Sequence, residues 1–230
     1  MRRLAVITLV LLVVLGIVGV VADRALHAKA ESEVLGAVSQ HVALAPGADV
    51  TIDGFPFLTQ VRAGRLAEVR GSAPEAAFEG LVLTGVRVAA RGVSPQPPYM
   101  AETVEINADI PLRTLRSLLA EELPLLERVV ELDSTDGRLR LSTSVAGLDV
   151  AVGLEPTIED GRIGFELGEA LAGADATAGA ELLSLLNVAV AELRFDIPGL
   201  PDGLVPTRLS VVDDGVRLRL EGTDVTFPAG

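Results

Sequence analysis

From residue 80 onward, apolar and polar residues repeatedly alternate along this chain with a period of two. Val82, Val86 and Val88 share one side of a stretch from Leu81 to Val93, and Val104 and Ile106 share one side of Ala101 to Ile110. Leu139 and Leu141 alternate with Arg138, Arg140 and Ser142; Leu148, Val150, Val152 and Leu154 alternate with Asp149 and Glu155. Ile163, Phe165 and Leu167 stand against Arg162 and Glu166, and Val216, Leu218 and Leu220 against Arg217, Arg219 and Glu221. This period belongs to strands with one side on a core and the other in water. Asp136-Gly137, Asp160-Gly161 and Asp214-Gly215 predict hairpin turns between them. Shorter strands are predicted at Val50–Ile52, at Val61–Val69 with a bend at Gly64, at Phe195–Ile197 and at Leu209–Val211. The proline-rich run Ser94–Pro98 is a loop.

Three stretches have helical spacing instead. Asp23 to Ala45 places Leu26, Ala30, Val34, Ala37, Val38 and His41 near one face, and Pro46-Gly47 stops it. Pro111 opens a second helix, whose stripe is Leu112, Leu115, Leu118, Leu119 and Leu123, and Pro124 ends it. A third fits Ala178 to Ala189, with Leu182, Leu185, Leu186 and Ala189 as its stripe. Two-faced strands make antiparallel sheets whose greasy side needs a cover. The expected class is α+β, a curved antiparallel sheet wrapped around or covered by helices, and the two leucine-rich helices are the available covers.

The opening of the chain is different. Met1-Arg2-Arg3 precedes an uncharged run from Leu4 to Ala22, interrupted only by the hydroxyl of Thr8. As a helix this run is long enough to cross a bilayer core of about 30 Å. The basic start leaves the N-terminus cytoplasmic and everything after Asp23 outside. Val20-Val21-Ala22 also fits a signal-peptidase site, so residues 1–22 read as either an uncleaved anchor or a cleaved signal peptide. Both place residues 23–230 on the outer face of the cytoplasmic membrane or in the periplasmic space, and the first helix and the anchor form one continuous rod if uncleaved.

Composition adds to this picture. Hydrophobic residues make up 49% of the chain, aromatics only 3%, and there is no tryptophan. A core built from these residues is aliphatic, which suits acyl chains and ordinary β-proteins alike. Net charge is −13, which argues against nucleic acid and against docking the whole body on anionic lipid by charge. Absence of cysteine excludes disulfides, zinc–thiolate sites and cysteine nucleophiles.

Little in the chain suggests catalysis. The two histidines, His27 and His41, lie on one predicted helix about 21 Å apart and cannot share a metal. Glu121-Glu122 fits a solvated helix end and Asp213-Asp214 a turn, with nothing to indicate paired catalytic carboxylates. Asp133-Ser134-Thr135-Asp136-Gly137 resembles a calcium loop less than a β-turn. No catalytic residue, metal site or cofactor is expected.

The most distinctive local sequence is Gly54-Phe55-Pro56-Phe57-Leu58-Thr59-Gln60, which holds two of the six phenylalanines. In an extended segment Phe55 and Phe57 would share a face, as a bend whose aromatics plug a core. In its context this heptapeptide resembles the motif of the LmeA family, phospholipid-binding proteins of the actinobacterial envelope. The order of parts is also similar, ending in a hairpin like Leu200-Pro201-Asp202-Gly203, Val211 to Val216 and Glu221-Gly222-Thr223-Asp224-Val225. The resemblance covers roughly residues 25–227. It implies a tubular lipid-binding fold with a greasy cavity, a phospholipid or other acyl-chain ligand, and support of lipomannan or lipoarabinomannan assembly without enzymatic activity. It implies no particular contact residues. From the residues themselves, the lipid-cavity candidates are Phe55, Phe57, Leu58, Leu115, Leu118, Leu119, Leu182, Leu185 and Leu186. Two other classes stay open: a solid β-rich interaction module like the water-stress sandwiches, and an envelope hydrolase or transferase.

Overall fold

The computed structural model describes residues 2–40, 42–78, 80–122, 130–145, 148–172 and 200–227, with residues 184, 187, 188, 190, 191, 194, 195 and 197. In chain order the elements are α1 (Arg2–Ser39), β1 (Ala43–Leu44), β2 (Asp49–Asp53), α2 (Phe57–Arg62), β3 (Leu66–Phe78), β4 (Leu81–Val93), β5 (Tyr99–Pro111) and α3 (Leu112–Glu122). Then follow β6 (Val130–Thr135), β7 (Arg138–Val145), β8 (Leu148–Glu159), β9 (Arg162–Ala172), β10 (Arg194–Phe195), β11 (Leu204–Val212) and β12 (Gly215–Phe227). All pairings are antiparallel. One open sheet runs β1-β3-β4-β5-β12-β11, with β2 beside β1 on the outer edge of β3; the other runs β10-β9-β8-β7-β6.

The alternation seen in the sequence becomes two apolar faces turned toward one interior. Val216, Leu218 and Leu220 of β12 sit opposite Ile110, Ala108 and Ile106 of β5. In the smaller sheet Leu141 pairs with Leu132 and Val152, and Leu139 with Leu154. Apart from Ala108, these residues and Phe165 join one continuous core, with Ile106 packed against it and Leu139 and Val225 wholly buried. The two sheets thus share one core, which Val190, just beyond the third predicted helix, also enters. α3 does contribute: Leu115 is buried in the same core, Thr114 Oγ1 donates to the Val82 carbonyl of β4 at 3.0 Å, and Arg116 Nε donates to the Leu132 carbonyl of β6 at 3.1 Å. This helix thus ties one sheet to the other. Ser134 Oγ adds a second tie from β6 to the Val212 carbonyl of β11 at 2.7 Å.

On the wet side, ion pairs run between neighbouring strands. Arg217 makes a two-pronged contact with Asp109, and Arg219 reaches both Glu105 and Glu221. Exposed pairs of this kind contribute at most about 1 kcal/mol each. Stability comes from the aliphatic interior.

Several elements depart from the sequence reading. α1 ends at Ser39, not Ala45, because Ala43 and Leu44 pair with Ala77 and Ala76 of β3 and the Ala45 amide donates to Glu75. Residues 57–62 form a helix where a strand from Val61 was predicted. Pro111 closes β5, and the helix begins one residue later with the Leu112 amide donating to the Asp214 carbonyl at 3.0 Å. The sheets do not wrap α1, which packs on β2 and α2. Of the third predicted helix, residues 184, 187 and 188 are helical, as are Val190 and Ala191 just beyond it; the remainder lies outside the described residues. The turns at Asp136-Gly137 and Asp160-Gly161 carry positive φ at both positions, as a tight hairpin requires. At the third hairpin Asp213-Asp214 make the turn and Gly215 is already in β12, against Pro111.

A Cβ on Gly215 would lie 2.0 Å from the Ile110 carbonyl oxygen. Gly215→Ala must push β12 away from β5, and overpacking of this kind costs about 2–3 kcal/mol. We expect a lower urea midpoint with an unchanged slope; an unaltered midpoint would show that the strand shifts freely.

Candidate functional site at the helix–motif junction

The GFPFLTQ heptapeptide sits where α1 meets the edge of the large sheet. Asp23, His27 and Glu31 fall four residues apart along α1 and so form one stripe. Each makes a contact with the chain beyond residue 50. Asp23 is only 4% exposed, and its two carboxylate oxygens accept the amides of Phe57 and Leu58 at 3.0 and 2.7 Å. His27 Nε2 lies 2.6 Å from the Ile52 carbonyl, and Glu31 Oε1 accepts the Ile52 amide at 2.8 Å. The free edge of β2 is thus satisfied by side chains of a helix.

The cap explains why a helix forms at residue 57. α2 starts after Pro56, which makes no side-chain cap, so its first amides need an acceptor from elsewhere. Asp23 supplies it from 34 residues away. A carboxylate at a helix start, hydrogen-bonded to backbone N–H groups, is worth about 1–2 kcal/mol.

Each position of the motif then has a place. Gly54 has φ +105, and a Cβ there would come within 2.6 Å of Gln60 Nε2. Gln60 spans from β2 to β3: its Nε2 donates to the Asp53 carbonyl at 3.2 Å and its Oε1 accepts the Ala67 amide at 2.7 Å. Phe57 is buried against the His27 ring, 5.2 Å between centroids, in a small core with Ile52 and Leu66. Phe55 is 61% exposed and Leu58 42%. Phe55 and Phe57 therefore do not share a face, since the chain leaves the extended conformation between them.

Arg65, just after α2, clamps β5 through Glu102 at 2.7 Å. That hydrogen bond holds the Glu102 carboxyl below the usual carboxylate range, against some desolvation. The clamp is present above the ordinary glutamate pKa and fades as pH falls through the lowered folded value.

The small core under the motif is not isolated. Val93 packs against both it and the large interior between the sheets. Of the remaining cavity candidates, Leu115 is buried, while Leu118 and Leu119 are half-buried and Leu119 packs on the main core. Leu182, Leu185 and Leu186 lie outside the described residues, as does His41. A separate concavity of about 400 Å³ lies on the wet face of the large sheet, lined by Asp49, Arg70, Arg87, Glu105 and Asn107 among others. Covering the charged groups of Asp49, Arg70, Arg87 and Glu105 with an acyl chain would cost desolvation energy. Among the described residues no cluster of three or more His, Asp or Glu side chains could hold a metal, and no helix is long and apolar enough to cross a membrane; the side chains of residues 1–19 lie outside those described. Sequence reasoning missed Asp23 altogether; its one signal was the first acidic residue after a charge-free run.

Two antiparallel sheets share an aliphatic interior, with a helix clasped to one edge of the larger. The chain belongs to the LmeA-like phospholipid-binding family, whose match spans residues 21–221. That span contains the whole junction. No curated protein and no solved structure matches the chain.

Asp23→Ala should free two amides at once and destabilise the junction by about 1–3 kcal/mol. The readout is hydrogen exchange at Phe57 and Leu58, which should accelerate while exchange in β12 is unchanged. Equal protection in the variant would mean that α2 does not depend on this carboxylate.

Proposed function

We propose that this protein is a non-enzymatic phospholipid carrier or sensor of the cell envelope, supporting glycolipid assembly of the lipomannan or lipoarabinomannan type. The observation that carries the proposal is the phospholipid-binding family match across residues 21–221. The aliphatic interior supports it: burying each methylene of an acyl chain offers roughly 0.8 kcal/mol, and an unpaired polar group there would cost a few. In this reading the two sheets form the wall of an elongated holder of the tubular lipid-binding type, with Phe57, Leu115, Leu118 and Leu119 along it. Residues 23–230 form the lipid-binding unit outside the cytoplasmic membrane. Residues 4–22 hold it there as an uncleaved anchor, a role supported by Arg2-Arg3 and by the uncharged run to Ala22.

Native mass spectrometry of residues 23–230, purified without detergent, tests the proposal. A discrete added mass of one or two phospholipids is expected. A bare protein mass that stays bare after incubation with envelope lipids would overturn it in favour of a solid interaction module. Leu118→Trp, at a half-buried position, should lower lipid occupancy with little change in the unfolding midpoint. A large loss of stability at full occupancy would make Leu118 ordinary packing.

A further inference from the structure

α1 meets the rest of the domain at two levels. Glu31 and His27 hold Ile52, and Asp23 holds α2. With a rise of 1.5 Å per residue, the Asp23 contact lies roughly 12 Å nearer the start of the helix than the Glu31 contact. Asp23 is also the first charged residue after Leu4–Ala22. The α2 corner is thus pinned at the point where the uncharged run ends.

This corner is both greasy and basic. Phe55, Leu58, Val20 and Leu26 are all more than 40% exposed. Val20 and Leu26 lie three residues either side of Asp23, on the flank of α1 that holds α2. Leu58 and Arg62 are four apart on α2 and share its exposed face. The guanidinium groups of Arg62 and of Arg24, next to Asp23, are exposed and have no carboxylate partner among the described residues. Such cations stand out in a chain of net charge −13. Apolar side chains flanked by uncommitted arginines are what an anionic bilayer interface accepts: rings and methyl groups enter the acyl boundary while guanidinium groups stay at the phosphates.

From this geometry we infer that the α2 corner, with Phe55 and Leu58 at its tip and Arg24 and Arg62 beside them, is a second membrane contact that dips into an anionic lipid surface. The inference rests on the anchor reading of residues 4–22 and goes beyond it. It also places Phe57, the small core and Val93 next to the lipid contact, with Val93 packed against the main interior as well.

The chain has no tryptophan, so Phe55→Trp in the full protein gives an emission that reports this position alone. The protein is reconstituted in vesicles of phosphatidylcholine with or without phosphatidylglycerol, carrying brominated acyl chains. Blue-shifted, bromine-quenched emission is expected, stronger in the anionic vesicles, with solvent-like unquenched emission from Val205→Trp, an exposed control position on β11. Solvent-like emission from Phe55→Trp while the protein stays with the vesicles through alkaline carbonate would overturn the inference and leave the anchor standing. Quenching followed by release in carbonate would uphold the inference and overturn the anchor. Failure to associate at all would overturn both, and equal quenching in both vesicle types would remove the arginines' part.

Discussion

The aliphatic faces of the two sheets are buried in one shared core, and this requirement organises the molecule. With so few aromatic rings available, the core is assembled from Leu, Val, Ile and Ala supplied by strands far apart in sequence. Neither sheet closes into a barrel, so each would leave a greasy face in water if separated. α3 and Ser134 hold the pair together through hydrogen bonds to backbone carbonyls of the opposite sheet. On the described strands the ion pairs stay on the wet side, where each stabilises little.

At the edge of that arrangement, a single carboxylate decides the course of the chain. Asp23 is buried, and a buried charge is tolerated only with strong partners. Its partners are the two leading amides of α2, which Pro56 leaves uncapped. That contact accounts for why a helix begins at Phe57 and which motif residues turn outward, while His27 and Glu31 hold α1 to the sheet edge at Ile52. Phe57 goes down under His27, while Phe55 and Leu58 are left exposed on the domain.

The family assignment and this geometry are consistent in physical terms. A largely aliphatic interior is nearly indifferent to which acyl chain occupies it, so selectivity for a phospholipid would have to arise at the rim. Val93 makes the motif core and the main interior continuous. The concavity on the wet face of the sheet has charged side chains in its lining, unlike either core.

The strands and their inward faces were legible in the sequence because a period of two is set locally by each residue's neighbours. β4 runs from Leu81 to Val93 as the alternation predicts, and Asp136-Gly137 and Asp160-Gly161 turn as their dipeptides require. The family resemblance was legible in the motif. The helix at residues 57–62 was not, because its cap lies on another element and local propensity near Phe55-Pro56-Phe57 favours extension. The end of α1 at Ser39 was hidden for the same reason, since the carbonyls and amides of residues 43–45 are claimed by β3. By itself the sequence determined what is two-faced, what turns, and the aliphatic character of the interior. Only the tertiary structure decided what covers each face and which motif aromatic is exposed, because those outcomes depend on partners tens of residues away.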